Sequence, residues 1–195
     1  MFNRKEMKIA AKKQLNGNIG VYFGLSIIVG LILSALALTF VGSFVLMGPF
    51  QLGFAMFFLE VVREGRGNLE TGFKGFKQFG TAFVAFLLVF IFTSLWSLLF
   101  IIPGIIAQCR YAMTFFILAD NPTISASDAM KKSKEMMDGH KLELFFLELS
   151  FFWWYILGII TFGLAMIYVA PYVETTIAIY YERLKAEQQG VQAAV

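Results

Sequence analysis

Three ionisable side chains lie inside apolar runs long enough to cross a membrane. They are Arg110 in FIIPGIIAQCRYAMTFFILADNP (residues 100–122), Glu148 in LELFFLELSFF (142–152) and Glu174 in APYVETTIAIYYERL (170–184). An arginine at the centre of a bilayer costs about 2.5–3.5 kcal/mol on insertion scales, so it is retained only with a partner or a task. Counted back from Asp120, Arg110 lies roughly 15 Å along a continuous helix, and Glu174 lies at nearly the same depth before Arg183. Glu148 lies about 10 Å past Lys141. The expected arrangement is a buried Arg110–Glu174 ion pair, with Glu148 as the second candidate partner. Such a pair has two uses. It can fix how two hairpins dock, or it can line a cavity for an anionic headgroup or a solute path, with Gln108, Thr175, Thr176 and Tyr111 as further polar lining.

Other chemistry is poorly represented. There is no G-x-S-x-G, H-E-x-x-H or Walker A pattern. The only histidine, His140, and the only cysteine, Cys109, fall in different environments. GRGNLETGFKG is glycine-rich but lacks the strand–loop–helix setting of a phosphate loop. No enzyme activity, metal or cofactor is expected.

The elements that must position these groups follow from composition. Of the 195 residues, 58% are hydrophobic and 15% charged, with 23 phenylalanines and 4 prolines. That is too little charge to cover a soluble surface. Three apolar blocks, about 19–62, 79–119 and 142–182, are each about twice the ~20 residues that span a hydrocarbon core. Each carries a proline in its second half: Pro49, Pro103 and Pro171. Lys and Arg number five in residues 1–18, four in 63–77, four in 131–141 and two in 183–185, with Arg110 the sixteenth. The segments read as hairpin tips, around Gly42–Pro49, Leu99–Gly104 and Thr161–Pro171, carry none. Six spans in three hairpins put all fifteen outer cations on one side, as the positive-inside rule requires, whereas three spans would divide them. The basic first eighteen residues are read as leading into an uncleaved first span, because the apolar run that follows outlasts a signal-peptide core.

The predicted fold is therefore all-α: a polytopic membrane bundle of six helices with short amphipathic cytoplasmic helices and both termini cytoplasmic. Residues 1–195 form one membrane domain, with pseudo-repeats at about 1–63, 64–119 and 120–185 and a flexible tail at 186–195. Each repeat opens on a helix-start signal (Asn3, Asn68, Ser125) and a glycine (Gly17, Gly75, Gly139) before its apolar block. The glycine-to-proline spacing is 32, 28 and 32 residues (17 to 49, 75 to 103, 139 to 171).

Two basic segments read as interfacial helices. In SASDAMKKSKEMMDGHK, Ala126, Ala129, Met130, Ser133 and Met137 share one face opposite Lys131, Lys132 and Lys134. In the first segment Lys5, Lys8 and Lys12 oppose Met7, Ala11 and Leu15. Each lysine near an anionic leaflet contributes about 1 kcal/mol of attraction, so anionic lipids are the expected partners. A membrane-protein partner is also compatible with these surfaces, and no nucleic-acid motif accompanies the charge.

From Ala119 onward the chain resembles a bacterial family of six-span integral membrane proteins catalogued as a domain of unknown function. The resemblance is carried by ADNP (119–122), Ser125, Ala129, Ser133, MDGHK (137–141), Phe145, LSF (149–151), Trp154, Thr161, Gly163, Pro171, Tyr172, Thr176 and Tyr180. The earlier GFKGFKQFG and IIPGII fit as well. Trp153 departs from the pattern, which has a glycine before the tryptophan. The family is distantly similar to the membrane domain of some glycerophosphodiester phosphodiesterases. The resemblance implies six spans and a bacterial cytoplasmic-membrane location, and no enzyme. Two functions are expected: a lipid- or partner-binding membrane module, or alternatively a small transporter, exporter or lipid-translocating protein built around Arg110 and Glu174.

Overall fold

The computed structural model describes residues 4–15, 17–36 and 40–190, and the described residues contain helices and no strand. The helices are α1 (Arg4–Leu15), α2 (Ile19–Leu36), α3 (Phe40–Glu64), α4 (Leu69–Phe73), α5 (Phe79–Leu99), α6 (Ile101–Tyr111), α7 (Thr114–Asp120), α8 (Ala126–Met136), α9 (Lys141–Leu149), α10 (Phe152–Ile160) and α11 (Met166–Gln188). A 3-10 turn, Lys74–Gln78, joins α4 to α5. Among the described residues four helical runs are long and apolar enough to cross a membrane: Phe44–Glu64, Leu69–Leu98, Ile102–Asp120 and Lys141–Ile160. Arg4–Leu15 with Ile19–Ile32, bent by 81°, makes a fifth if taken as one span. α11 is long enough but carries Glu174, Glu182 and Arg183, and it is not among these runs.

Two of the three helix-start signals act as caps. The Asn68 side chain accepts from the Glu70 N–H at 3.1 Å. The Ser125 hydroxyl accepts from the Asp128 N–H at 3.1 Å, and Gly139, at φ +82°, follows α8 in the left-handed conformation. The Asn3 signal lies outside the described residues. Gly75 plays another part. A Cβ there would lie 2.1 Å from the Pro49 carbonyl oxygen, one at Gly53 would lie 1.8 Å from the Gly72 oxygen, and one at Gly48 would lie 2.4 Å from the Ala82 oxygen. Backbone meets backbone along this whole seam, so α3 packs against α4, the 3-10 turn and α5 without side chains between them.

The tips differ from the sequence reading in two places. Gly42–Pro49 is helical within α3, and the α2–α3 junction falls at residues 37–39, outside the described residues. The second tip is sharp, at an extended Phe100 (φ −162°, ψ 151°). The third closes over residues 161–165, so Pro171 lies inside α11.

The core gathers where the C-terminal half of α11 meets α1 and α3. Tyr180, Tyr181, Phe57, Phe58, Met7 and Leu15 are fully buried. The outward side is apolar instead. Phe90, Leu95 and Trp96 on α5, and Trp153, Ile159 and Ile160 on α10, are exposed. Large exposed apolar side chains of this kind suit contact with hydrocarbon. Both tryptophans of the Trp153–Trp154 pair are on this outer side. The small residues Gly20, Gly24 and Gly30 of α2 have no neighbour within 4 Å of a built Cβ, so they do not mark a close helix contact.

α1 and α8 do not lie with their apolar faces in lipid. Met7, Ala11 and Leu15 are buried against α11 and α3, and Ala126, Ala129, Ser133 and Met136 against α5, α6 and α7. Their apolar stripes cover the bundle, and Lys5, Lys12, Lys131, Lys132 and Lys134 face outward.

Candidate functional site

Two of the long apolar runs are broken, and each break is completed by a distant element. Between α6 and α7 the helical hydrogen bonding is interrupted at Ala112–Met113, with both residues still in the right-handed helical conformation. The buried Ser133 hydroxyl closes this gap: it accepts from the Met113 N–H at 3.2 Å and donates to the Arg110 carbonyl at 3.0 Å. Between α9 and α10 the break is at Ser150–Phe151. Here the Lys8 ammonium donates to the Ser150 carbonyl at 3.0 Å and sits 3.8 Å from the centre of the Phe151 ring. Helix breaks leave backbone groups unsatisfied, and within a membrane they persist only where protein or a cavity covers them.

The first break borders a cleft of about 430 Å³, and the second lies just beyond a residue that lines it. Tyr111 and Ala112, at the first break, line it, as does Glu148, two residues before the second. Gln51 from α3, Gln108 from α6 and Glu174 from α11 complete the polar side, with Tyr22 from α2. Phe54, Phe58, Phe115 and Phe116 form the apolar wall. Glu174 is exposed, and it lines the open volume of the cleft. No lysine, arginine or histidine lines the cleft, and neither Glu174 nor Glu148 has an ion-pair partner among the described residues.

Glu174, Glu148 and Gln108 are thus brought together, whereas Arg110 and Thr175 are not. The Arg110–Glu174 pair is absent among the described residues. Arg110 does not line the cleft, its Nε is buried without a hydrogen-bond partner, and its charge acts on Asp138, just past α8. Asp138 is held below the usual carboxylate range chiefly by Lys141 at 2.7 Å, with Arg110 a smaller influence. Depth along the helix does not decide which neighbour a side chain meets, and α8 folds back so that Ser133 reaches Arg110's own carbonyl. Thr175 is buried and donates its hydroxyl to the Pro171 carbonyl at 2.7 Å, one turn back on its own helix. Thr176 does the same to Tyr172 at 2.7 Å. Lys8 is likewise engaged within the bundle.

Sequence reasoning missed a second cluster. Asp120, with a side chain only 6% exposed, accepts from Arg63 Nη2 at 2.6 Å, Lys185 Nζ at 2.5 Å and the Tyr181 hydroxyl at 2.9 Å. Glu182 accepts from Arg63 as well, through Nε at 2.8 Å. The ends of α3, α7 and α11 are tied at this point. The available signal was Asp120 itself, an acid in the ADNP segment at the end of an apolar run with no local cation in sequence.

Fold and site define a class: an all-helical protein whose membrane-length apolar helices, two of them broken, surround a cleft with two unpaired carboxylates. Residues 98–188 match a family described as Protein of unknown function (DUF975). The matched stretch holds both breaks, Ser133 and the cleft residues Gln108, Tyr111, Glu148 and Glu174. No curated protein and no solved structure matches the chain.

Proposed function

We propose that the protein is a non-enzymatic, multi-pass protein of the cytoplasmic membrane that takes a small ligand into the cleft between its broken helices. The observation carrying this reading is that the first break, Glu148 and Glu174 line one cavity, with the second break two residues beyond Glu148. A bundle needing only stability is better served by continuous helices and an apolar interior. Discontinuous helices meeting at polar side chains are the arrangement by which membrane carriers hold solutes. In this reading α2, α3, α4–α5, α6–α7, α9–α10 and α11 are six spans. The Asp120 cluster supports placing the C-terminal ends of α3, α7 and α11 together on the cytoplasmic face. The outward lysines of α1 and α8 then face anionic headgroups and orient the protein.

The test is access to the cleft. Gln108→Cys and Gln51→Cys, in a Cys109→Ser background, are treated with a membrane-impermeant maleimide in right-side-out and inside-out vesicles. Both cysteines react from at least one face, while Ala85→Cys, in the fully buried core, does not. Cleft cysteines as inert as Ala85→Cys sink the reading and leave a dry structural module.

A further inference from the structure

We infer that the cleft is selective for an organic cation with an apolar body, with Glu174 as its main counter-charge and Glu148 as the second. The inference rests on the reading of the cleft as a ligand site and names the chemistry of what enters.

The lining decides the charge. Two carboxylates face the cavity and no cationic side chain does. An anion would be repelled without compensation, and a neutral guest would leave both carboxylates without a partner in a confined space. The lack of any partner for Glu174 is the sharper observation. An acid within a membrane-length apolar bundle, open to a cleft and without an ion-pair partner, is placed to receive a positively charged guest. Arg110, the cation nearest in sequence depth, does not line the cleft.

The wall decides the rest. Tyr22 packs at 5.5 Å from Phe58 and 6.1 Å from Phe54, centre to centre, giving an aromatic lining beside the acids. Ring faces carry negative quadrupolar charge and attract quaternary or protonated amines, with an added contribution when the cation is desolvated. A bare metal ion suits the lining less well. It would leave the aromatic wall unused, and no group of three metal-ligating side chains occurs among the described residues. A volume of about 430 Å³ lies within the range of small-molecule pockets. Gln51 and Gln108 can donate or accept hydrogen bonds to polar substituents of the guest.

The experiment uses the purified full chain and a charge-inverted pair of equal shape, tetraphenylphosphonium and tetraphenylborate, with benzyltrimethylammonium as a smaller competitor. Displaceable binding is measured for wild type, Glu174→Gln, Glu148→Gln and Glu174→Asp, each first shown to elute as one folded species. The cation is expected to bind displaceably and the anion not to. Glu174→Gln should weaken the cation by about tenfold or more. Glu148→Gln should weaken it less, and Glu174→Asp should retain most of the affinity. Equal binding of both ions, or cation binding unchanged in Glu174→Gln, overturns the inference, as does the absence of displaceable cation binding to wild type. Maleimide access distinguishes the failures. A reactive Gln108→Cys with no cation preference leaves the cleft a ligand site of other chemistry, whereas an unreactive one removes the site itself.

Discussion

The side chain of Ser133 and the main chain of Arg110, 23 positions apart, meet at 3.0 Å, and the same hydroxyl receives the Met113 N–H. One side chain therefore repairs the break between α6 and α7. Ser133→Ala leaves a buried donor and a buried acceptor without partners. Each such group costs about 1–3 kcal/mol, so the variant should be destabilised by several degrees in thermal melts of the detergent-solubilised protein. Ser133→Cys, with its weaker hydrogen bonding, should fall between. Wild-type stability for Ser133→Ala would mean the break is held by packing alone.

Lys8 does for α9 and α10 what Ser133 does for α6 and α7. Lys8→Met keeps the length of the stem but removes the donor to Ser150 and the charge over Phe151, at a cost of about 1–2 kcal/mol. Burial, and then the neighbouring Arg4 charge, hold the Lys8 ammonium below its ordinary value of 10.5. Between the lowered folded value and 10.5 the unfolded chain binds more protons at this site, so the contribution of Lys8 rises with pH across that window. The stability gap between wild type and Lys8→Met should widen as pH climbs toward 10.5. A gap that narrows would point to a carboxylate partner for Lys8 instead.

Glu174→Gln separates the cleft from an ion-pair scaffold. Removing one member of a buried pair strands the other and costs about 3–5 kcal/mol. Here Glu174 has no partner to strand, so neutralising it should leave the melting temperature unchanged or raise it. Arg110→Gln should likewise not need Glu174→Gln for rescue. A marked loss of stability in Glu174→Gln, recovered in the double variant, would restore the pair.

The helical class was legible because long apolar runs and sparse charge leave few other solutions. The caps at Asn68 and Ser125, the stop at Gly139 and the turn at Phe100 follow local rules that act within a few residues. Glu148, Glu174 and Gln108 were legible as polar residues that an apolar helix would otherwise reject. The orientation of Arg110 was not. RYAMT contains neither proline nor glycine, and its break is stabilised by Ser133 on a helix that reads as a surface element. The first tip was misplaced for a related reason. Gly48 and Pro49 look like punctuation, but they are used within α3, where the Gly48 position meets the Ala82 carbonyl and the Pro49 carbonyl lies against Gly75. Lys8 was assigned to lipid because its helical face is basic, and nothing local reveals an acceptor 142 residues away.

Asp120 should be the most sensitive ionic position. Asp120→Asn leaves Arg63, Lys185 and the Tyr181 hydroxyl around a neutral amide. Arg63 and Lys185 are 40% and 33% exposed at the side chain, so water softens the loss. A destabilisation of about 1–3 kcal/mol is expected, larger than for Arg63→Gln, because Asp120 serves three donors and Arg63 two acceptors. High salt should shrink the difference between wild type and Asp120→Asn only modestly, since the carboxylate itself is nearly buried. Equal effects of Asp120→Asn and Arg63→Gln would reduce the cluster to a simple surface pair.

Gly53→Ala and Gly80→Ala make a matched comparison of two helical glycines. At Gly53 a methyl group would have to lie 1.8 Å from the Gly72 carbonyl oxygen, and the obstruction is backbone. No rotamer change relieves it, so α3 and α4 must separate, and with them the seam that continues through Pro49, Gly75 and Ala82. The variant should fail to accumulate as a folded species, or lose more than the ~1–3 kcal/mol typical of overpacking. At Gly80 nothing lies within 4 Å and the backbone is helical, so alanine should stabilise by about 0.5–1 kcal/mol through its helix propensity. Melting temperatures and yields of the two variants measure the difference directly. If Gly53→Ala melts like wild type, α3 and α4 do not pack this closely, and Gln51, which α3 carries into the cleft two residues earlier, would have to be placed anew.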